Sequence, residues 1–162
     1  MKVIDDDILN SLSAEAKKSE RLRINLNLHE QTNDPIQRLL NALEPNSYIC
    51  PHKHLDKREL FIPLRGKFAL VTFDDFGEIE TLIHLSEKSE ARIVEIEPGV
   101  YHTLVCKIEG TIYFEIKDGP YNPLCDKNFA PWAPSENSTQ ANVYLNELKE
   151  RIIVIENSEK NF

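Results

Sequence analysis

The chain has 162 residues, 41% hydrophobic and 28% charged, one domain's worth of ordinary globular sequence that needs no staples to fold. Nineteen Lys and Arg stand against 27 Asp and Glu, a formal net charge of −8. That sign makes the chain a poor candidate for binding nucleic acid, which rests on phosphate neutralisation, or anionic membranes.

No run approaches the roughly 18–20 apolar residues of a transmembrane helix. The opening MKVIDDD lacks the apolar region of a secretory signal. Cys50, Cys106 and Cys125 are odd in number and lack CxxC spacing, so no disulfide framework is expected. Together these features read as a reduced, cytoplasmic protein.

In chain order, residues 5–18 read as a short helix. Acidic residues open it, Ile8, Leu9, Leu12 and Ala16 form one stripe, and Lys17 and Lys18 close it. Residues 21–29, RLRINLNLH, alternate strictly. Leu22, Ile24, Leu26 and Leu28 point one way; Arg21, Arg23, Asn25, Asn27 and His29 point the other, which is a strand period. Residues 36–43 suit a helical turn or a strand, and the turn Pro45-Asn46-Ser47 that closes them favours the strand. Short strand-like runs follow at 48–52, 59–64, 67–73, 79–85, 91–96, 103–108 and 111–116. All five glycines sit near the ends of such runs, a pattern of an all-β sandwich or barrel. Residues 119–134, with four of the nine prolines and the only Trp, read as an irregular segment laid over the barrel. Residues 137–150 look helical, RIIVIE at 151–156 suits a last strand or a partner contact, and the final six residues are expected to fray. The resulting division is an N-terminal helix at 1–20, a β-barrel at 21–134, and a C-terminal helix and tail at 135–162.

The chemistry concentrates in four residues. His52 and His54 form an H-x-H pair whose period of two sends both imidazoles to one face. Glu59 opens the next run, and His102 follows the turn Pro98-Gly99. Three imidazoles and a carboxylate suit one divalent transition metal (Fe, Mn, Ni, Co, Cu or Zn), with open positions left for substrate, water or dioxygen.

The spacing Asn46-x5-His52-x-His54-x4-Glu59-x6-Gly66 resembles the first motif of the cupin superfamily, and Gly99-x2-His102 resembles the core of its second. This sequence departs in three places: Asn46 replaces a Gly, Pro98 is adjacent to Gly99, and Cys106 replaces an Asn. None removes a ligand. The resemblance implies a double-stranded β-helix, or jelly roll, with His52, His54, Glu59 and His102 as metal ligands. More narrowly, RLRINLNLH, DPIQRLLNALEPNSYICPHKH and GPYNPLCDKNFAPWAP are similar to the WbuC-type cupin-fold metalloproteins. Their genes lie among those for bacterial surface polysaccharide (O-antigen) synthesis.

Around this centre Cys50 and Cys106 are expected on the inward face, lining the pocket or filling small gaps, and Phe61 is expected to wall it. Leu60, Ile62 and Leu64 face the other way and call for a helix or a second subunit, most simply a homodimer. The narrower resemblance draws Arg21, Arg23, Asn25 and His29 to the pocket mouth, where with Gln37 and Arg38 they would hold a carboxylate or phosphate. Lys127 is a further substrate-binding candidate; Trp132 reads mainly as a packing anchor. The function expected is a metal-dependent enzyme acting on a small anionic, sugar-derived substrate, by isomerase or epimerase chemistry with the metal as Lewis acid. Glu59 serves as ligand or as general base. The alternatives are a metal-anchored sugar or nucleotide-sugar binding module and an Fe(II)-dependent dioxygenase. The charge is uneven, so the net −8 does not argue against an anionic small molecule. Residues 74–97 hold eight acids against two bases, whereas 21–58, with the Arg strand and two histidines, hold four acids against six bases.

Overall fold

The computed structural model describes residues 1–159. Helix α1 (Asp6–Lys18) starts where the Asp5 side chain accepts the Ile8 N–H at 3.1 Å, with Asp6 and Asp7 in the first turn and Lys17 and Lys18 in the last. Ten strands follow: β1 (Arg23–Asn27), β2 (Ile36–Leu43), β3 (His52–Lys53), β4 (Glu59–Arg65), β5 (Lys67–Phe73), β6 (Ile79–Ser86), β7 (Val94–Ile96), β8 (Tyr101–Cys106), β9 (Thr111–Asp118) and β10 (Asn128–Phe129). Helix α2 (Ala141–Glu159) completes the described chain.

The strands form two five-stranded sheets, ordered β1-β2-β9-β4-β7 and β10-β3-β8-β5-β6. Every pairing is antiparallel, the arrangement of a jelly roll. Leu43, Phe61, Ile96 and Tyr113 of the first sheet meet Phe68, Leu70, Leu85 and Leu104 of the second in the core between them. Each outer face has its own cover. Leu12 and Ala16 of α1 pack on Leu40, Ala42 and Ile112 of the first sheet, with Leu64 against the same cluster. Leu145, Leu148 and Ile152 of α2 pack on Ala69, Val71 and Val105 of the second. The cover over Leu64 is therefore a helix of the same chain, while Leu60 and Ile62 stay half-buried.

The expected strand at 36–43 is β2. RIIVIE is neither strand nor edge, because α2 runs straight through it. Ala141, Leu145, Leu148 and Ile152 continue one buried stripe at helical spacing, and that packing overrides the strand preference of the β-branched run. The Lys107 ammonium and the His84 ring hold Glu156 at 2.7 and 3.0 Å, tying the far end of α2 to the second sheet. Of the six residues expected to fray, 157–159 belong to α2 and 160–162 lie outside the described residues. Trp132 packs against Phe73, Tyr101 and Tyr144, an anchor for the proline-rich segment. No helix among the described residues is long and apolar enough to cross a membrane.

Gly66 turns β4 into β5 at φ +81°, and a Cβ there would lie 2.8 Å from the Thr111 backbone Cα. Gly66→Ala is expected to lower stability by at least about 1–2 kcal/mol from the left-handed backbone alone. The clash with Thr111 adds to that loss, read as a lower urea midpoint at unchanged slope.

Candidate metal centre

Strand pairing brings the centre together. His52 in β3 lies directly opposite His102 in β8. His54 follows β3, and Glu59 opens β4 in the facing sheet. All four side chains are buried, and one ligand atom from each lies within 4.8 Å of the others.

Backbone carbonyls set the chemistry of the three rings. His52 Nδ1 meets the Cys50 carbonyl at 2.9 Å, His102 Nδ1 meets the Val100 carbonyl at 3.0 Å, and His54 Nδ1 meets the Asp126 carbonyl. A carbonyl can only accept, so each Nδ1 carries the proton and each Nε2 turns a lone pair inward. His54 Nε2 stands 3.0 Å from Glu59 Oε1, and His102 Nε2 stands 2.9 Å from Glu59 Oε2. Yet His54 Nε2, His102 Nε2 and Glu59 Oε2 are buried without an aligned hydrogen bond among the described residues. Lone pairs of neutral imidazoles facing a carboxylate in a buried site need a cation between them. The donor set, three imidazole nitrogens and a carboxylate with the rings held from behind, fits a divalent transition metal.

The charges around the site agree. Burial holds the His52 imidazole well below its ordinary range, reinforced by Lys127 and His102. Burial would raise the Glu59 carboxyl, but in the metal-free protein protons shared from the His102 and His54 rings outweigh it and hold the group well below the usual carboxylate range, the place that a bound cation would take.

Beyond this chamber lies an open cleft of about 480 Å³, lined mainly by β1, β2 and β9 and by the segment after β9. Ile49, Tyr113, Glu115 and Lys127 border both cleft and chamber, so they form the neck between them. Arg21, Arg23, Asn25, His29 and Gln37 line the cleft as well, and Phe61 walls the chamber. Some of these groups are engaged elsewhere. Arg23 is paired with Glu136 at 2.5 Å and donates to the Tyr48 carbonyl at 2.7 Å. The Gln37 amide donates to the Thr32 and Asp34 carbonyls, and His29 Nδ1 accepts the Arg38 backbone N–H at 3.1 Å. Arg38 itself is exposed outside the cleft, because its neighbour Gln37 points in and successive strand residues face opposite ways. Cys50 and Cys106 are buried in apolar clusters and border neither cleft nor chamber. All three cysteines are free thiols.

Four further charged residues belong here. Lys117 bonds Asp126 at 2.8 Å and reaches to 3.6 Å from Glu59; Lys57 bonds Asp126 at 2.6 Å. Burial would lower the Lys117 ammonium, but Glu115, Glu59 and Asp126 outweigh it and raise it. Glu115 accepts from Asn41 at 3.0 Å, and its carboxyl is pushed up by burial and by the charge of Glu59. The signal for Glu115 and Lys117 was in the alternation of β9. Ile112 and Phe114 point outward beneath α1, which sends Tyr113, Glu115 and Lys117 inward.

Residues 4–85 match the family described as a domain of unknown function, DUF6016. The chain belongs to that family. No curated protein matches it. Among solved structures it is similar to CapF bound to the inhibitor 3-isopropenyl-tropolone, with a TM-score of 0.55 at 21% identity over 65% of this chain and 31% of that one. The capsular polysaccharide assembling protein CapF from Staphylococcus aureus gives a TM-score of 0.52 at 19% identity, over 65% of this chain and 31% of that one. Oxalate decarboxylase from Bacillus subtilis gives 0.51 at 15% identity, over 66% of this chain and 27% of that one. The chain thus spans less than a third of the length of these proteins, and the likeness is one of fold: the jelly roll is a cupin fold.

Purified protein is expected to hold one divalent transition metal per chain by mass spectrometry, and His52→Ala or His102→Ala to lose it. Metal at a hundredfold over its Kd should raise stability by about 2.7 kcal/mol. In the metal-free protein the His52 ring titrates below its unfolded value of 6.5, so the unfolded chain takes up the proton first as pH falls. The stability it contributes is present above 6.5 and lost below it. Urea titrations across that range should show a shallower slope with pH in His52→Asn.

Proposed function

We propose that this DUF6016 protein is a metal-dependent cupin enzyme acting on a small anionic, sugar-derived substrate in bacterial surface-polysaccharide metabolism. One observation carries the reading: lone pairs of three carbonyl-fixed imidazoles and a carboxylate converge at the closed end of a polar cleft. The resemblance of three segments to the WbuC-type proteins supports the polysaccharide context, as does the fold shared with a capsular polysaccharide assembling protein. Three free thiols accord with a cytoplasmic setting, and the half-buried Leu60 and Ile62 accord with a homodimer.

His52, His54, Glu59 and His102 would hold the metal, which when bound supplies a Lewis acid for a substrate oxygen. Glu59, boxed between His54 and His102, acts as ligand. Proton transfer falls to Glu115 at the neck. Asn41 donates to its Oε2, which leaves Oε1 free of a hydrogen bond for a substrate proton, and burial together with Glu59 raises the carboxyl above its ordinary value. Lys117, fixed by Asp126, limits how far the carboxyl can swing.

Turnover of a panel of sugar acids and nucleotide sugars is expected to stop on chelation and to return with metal. Glu115→Gln should lower kcat by about 100-fold or more while metal content stays unchanged. A metal-replete, reduced wild type that binds no metal would overturn the reading.

A further inference from the structure

The charges in the cleft specify the acid that it takes. Four cationic side chains border the cleft: Arg21, Arg23, Lys117 and Lys127. Arg23 is engaged by Glu136 and the Tyr48 carbonyl, and Lys117 by Asp126 and Glu59. Arg21 borders only the outer cleft. Lys127 borders both cleft and chamber, and among the described residues its ammonium has no ion pair or hydrogen bond. Glu136 on the same wall is already paired with Arg23, and the Glu115 carboxyl is the proton donor. A phosphate dianion or a pyrophosphate at the neck would meet a single free ammonium, one charge short. A carboxylate meets one ammonium, charge for charge.

The remaining polar lining is neutral. Asn25 donates to Asn27 at 2.6 Å and Asn41 donates to Glu115 at 3.0 Å. Each donor amide keeps a carbonyl oxygen and a second N–H for a hydroxyl. At the rim Phe129 and Tyr121 are 57% and 41% exposed, apolar ring surface for the C–H face of a sugar. A volume of about 480 Å³ accommodates a monosaccharide.

We infer that the cleft is a sugar-acid site: Lys127 holds the carboxylate of a uronic or aldonic acid at the neck beside the metal centre, and Asn25, Asn27 and Asn41 read its hydroxyls. This deepens the metal-dependent reading and rests on it.

Calorimetric titration of the metal-loaded full chain with glucuronate, with glucose, and with glucose bearing an anomeric phosphate tests the assignment. Glucuronate is expected to bind about 10- to 100-fold more tightly than glucose, the worth of one charge-assisted hydrogen bond. Lys127→Met should abolish that preference with metal content unchanged, and Lys127→Arg should keep most of it. Tighter binding of the sugar phosphate than of glucuronate, or a preference that survives Lys127→Met, overturns the carboxylate assignment and leaves the metal-dependent reading standing. Failure of the metal-loaded protein to bind any of the three overturns the sugar assignment in both.

Discussion

Three backbone carbonyls, from Cys50, Val100 and Asp126, govern the centre of this molecule. By accepting the Nδ1–H of each ring they fix its tautomer and its rotation at once. What remains is an inward set of lone pairs beside a carboxylate, an arrangement that protein atoms alone do not satisfy. The fold is arranged to make this possible. The carbonyls of Cys50 and Val100 each lie two residues before the histidine they hold, and the His52–His102 pairing sets the two rings side by side across the ladder.

The energetics of the two ends of the cleft differ in kind. At the closed end charge is buried: the Asp126 carboxylate is paired with Lys57 and Lys117, and the Glu59 carboxylate has Lys117 at 3.6 Å and room for a cation between it and the imidazoles. Pairs of this sort are costly to break from one side, because the partner is left charged without solvent. At the neck, compensation stops short. Among the described residues Lys127 has no ion pair or hydrogen bond, and Glu115 has only an amide donor and a distant ammonium. Polar groups left incompletely answered invite a ligand, and here they adjoin the four residues that could hold a metal.

Much of this was legible in the sequence, for physical reasons. The strand period puts His52 and His54 on one side, and a jelly roll brings Glu59 and His102 to them, so the buried cluster that could hold a metal follows from spacing and fold together. Other features depend on contacts that spacing does not encode. Arg23 does reach the cleft, but Glu136, more than a hundred residues away, neutralises it. Arg38 had to face away once Gln37 faced in, a constraint present in the alternation itself. Glu115 and Lys117 sit on the polar face of β9, which points inward only because α1 covers the apolar face. The C-terminal Ile-Ile-Val-Ile run has the composition of a strand and the stripe of a helix, and the second sheet's need for cover decides between them.

Asp126 works from both ends. Its carbonyl holds the His54 ring, while its carboxylate grips Lys57 and Lys117. The neighbouring Tyr121, Lys127 and Phe129 form one wall of the cleft. That wall is therefore fastened to the ligand shell as well as by the pairing of β10 with β3 and the bond from the Tyr121 N–H to the Thr32 carbonyl. The His54 ring and the segment that bounds the cleft share Asp126, so the shell that would grip a metal and the wall that would meet a substrate assemble as a single latch.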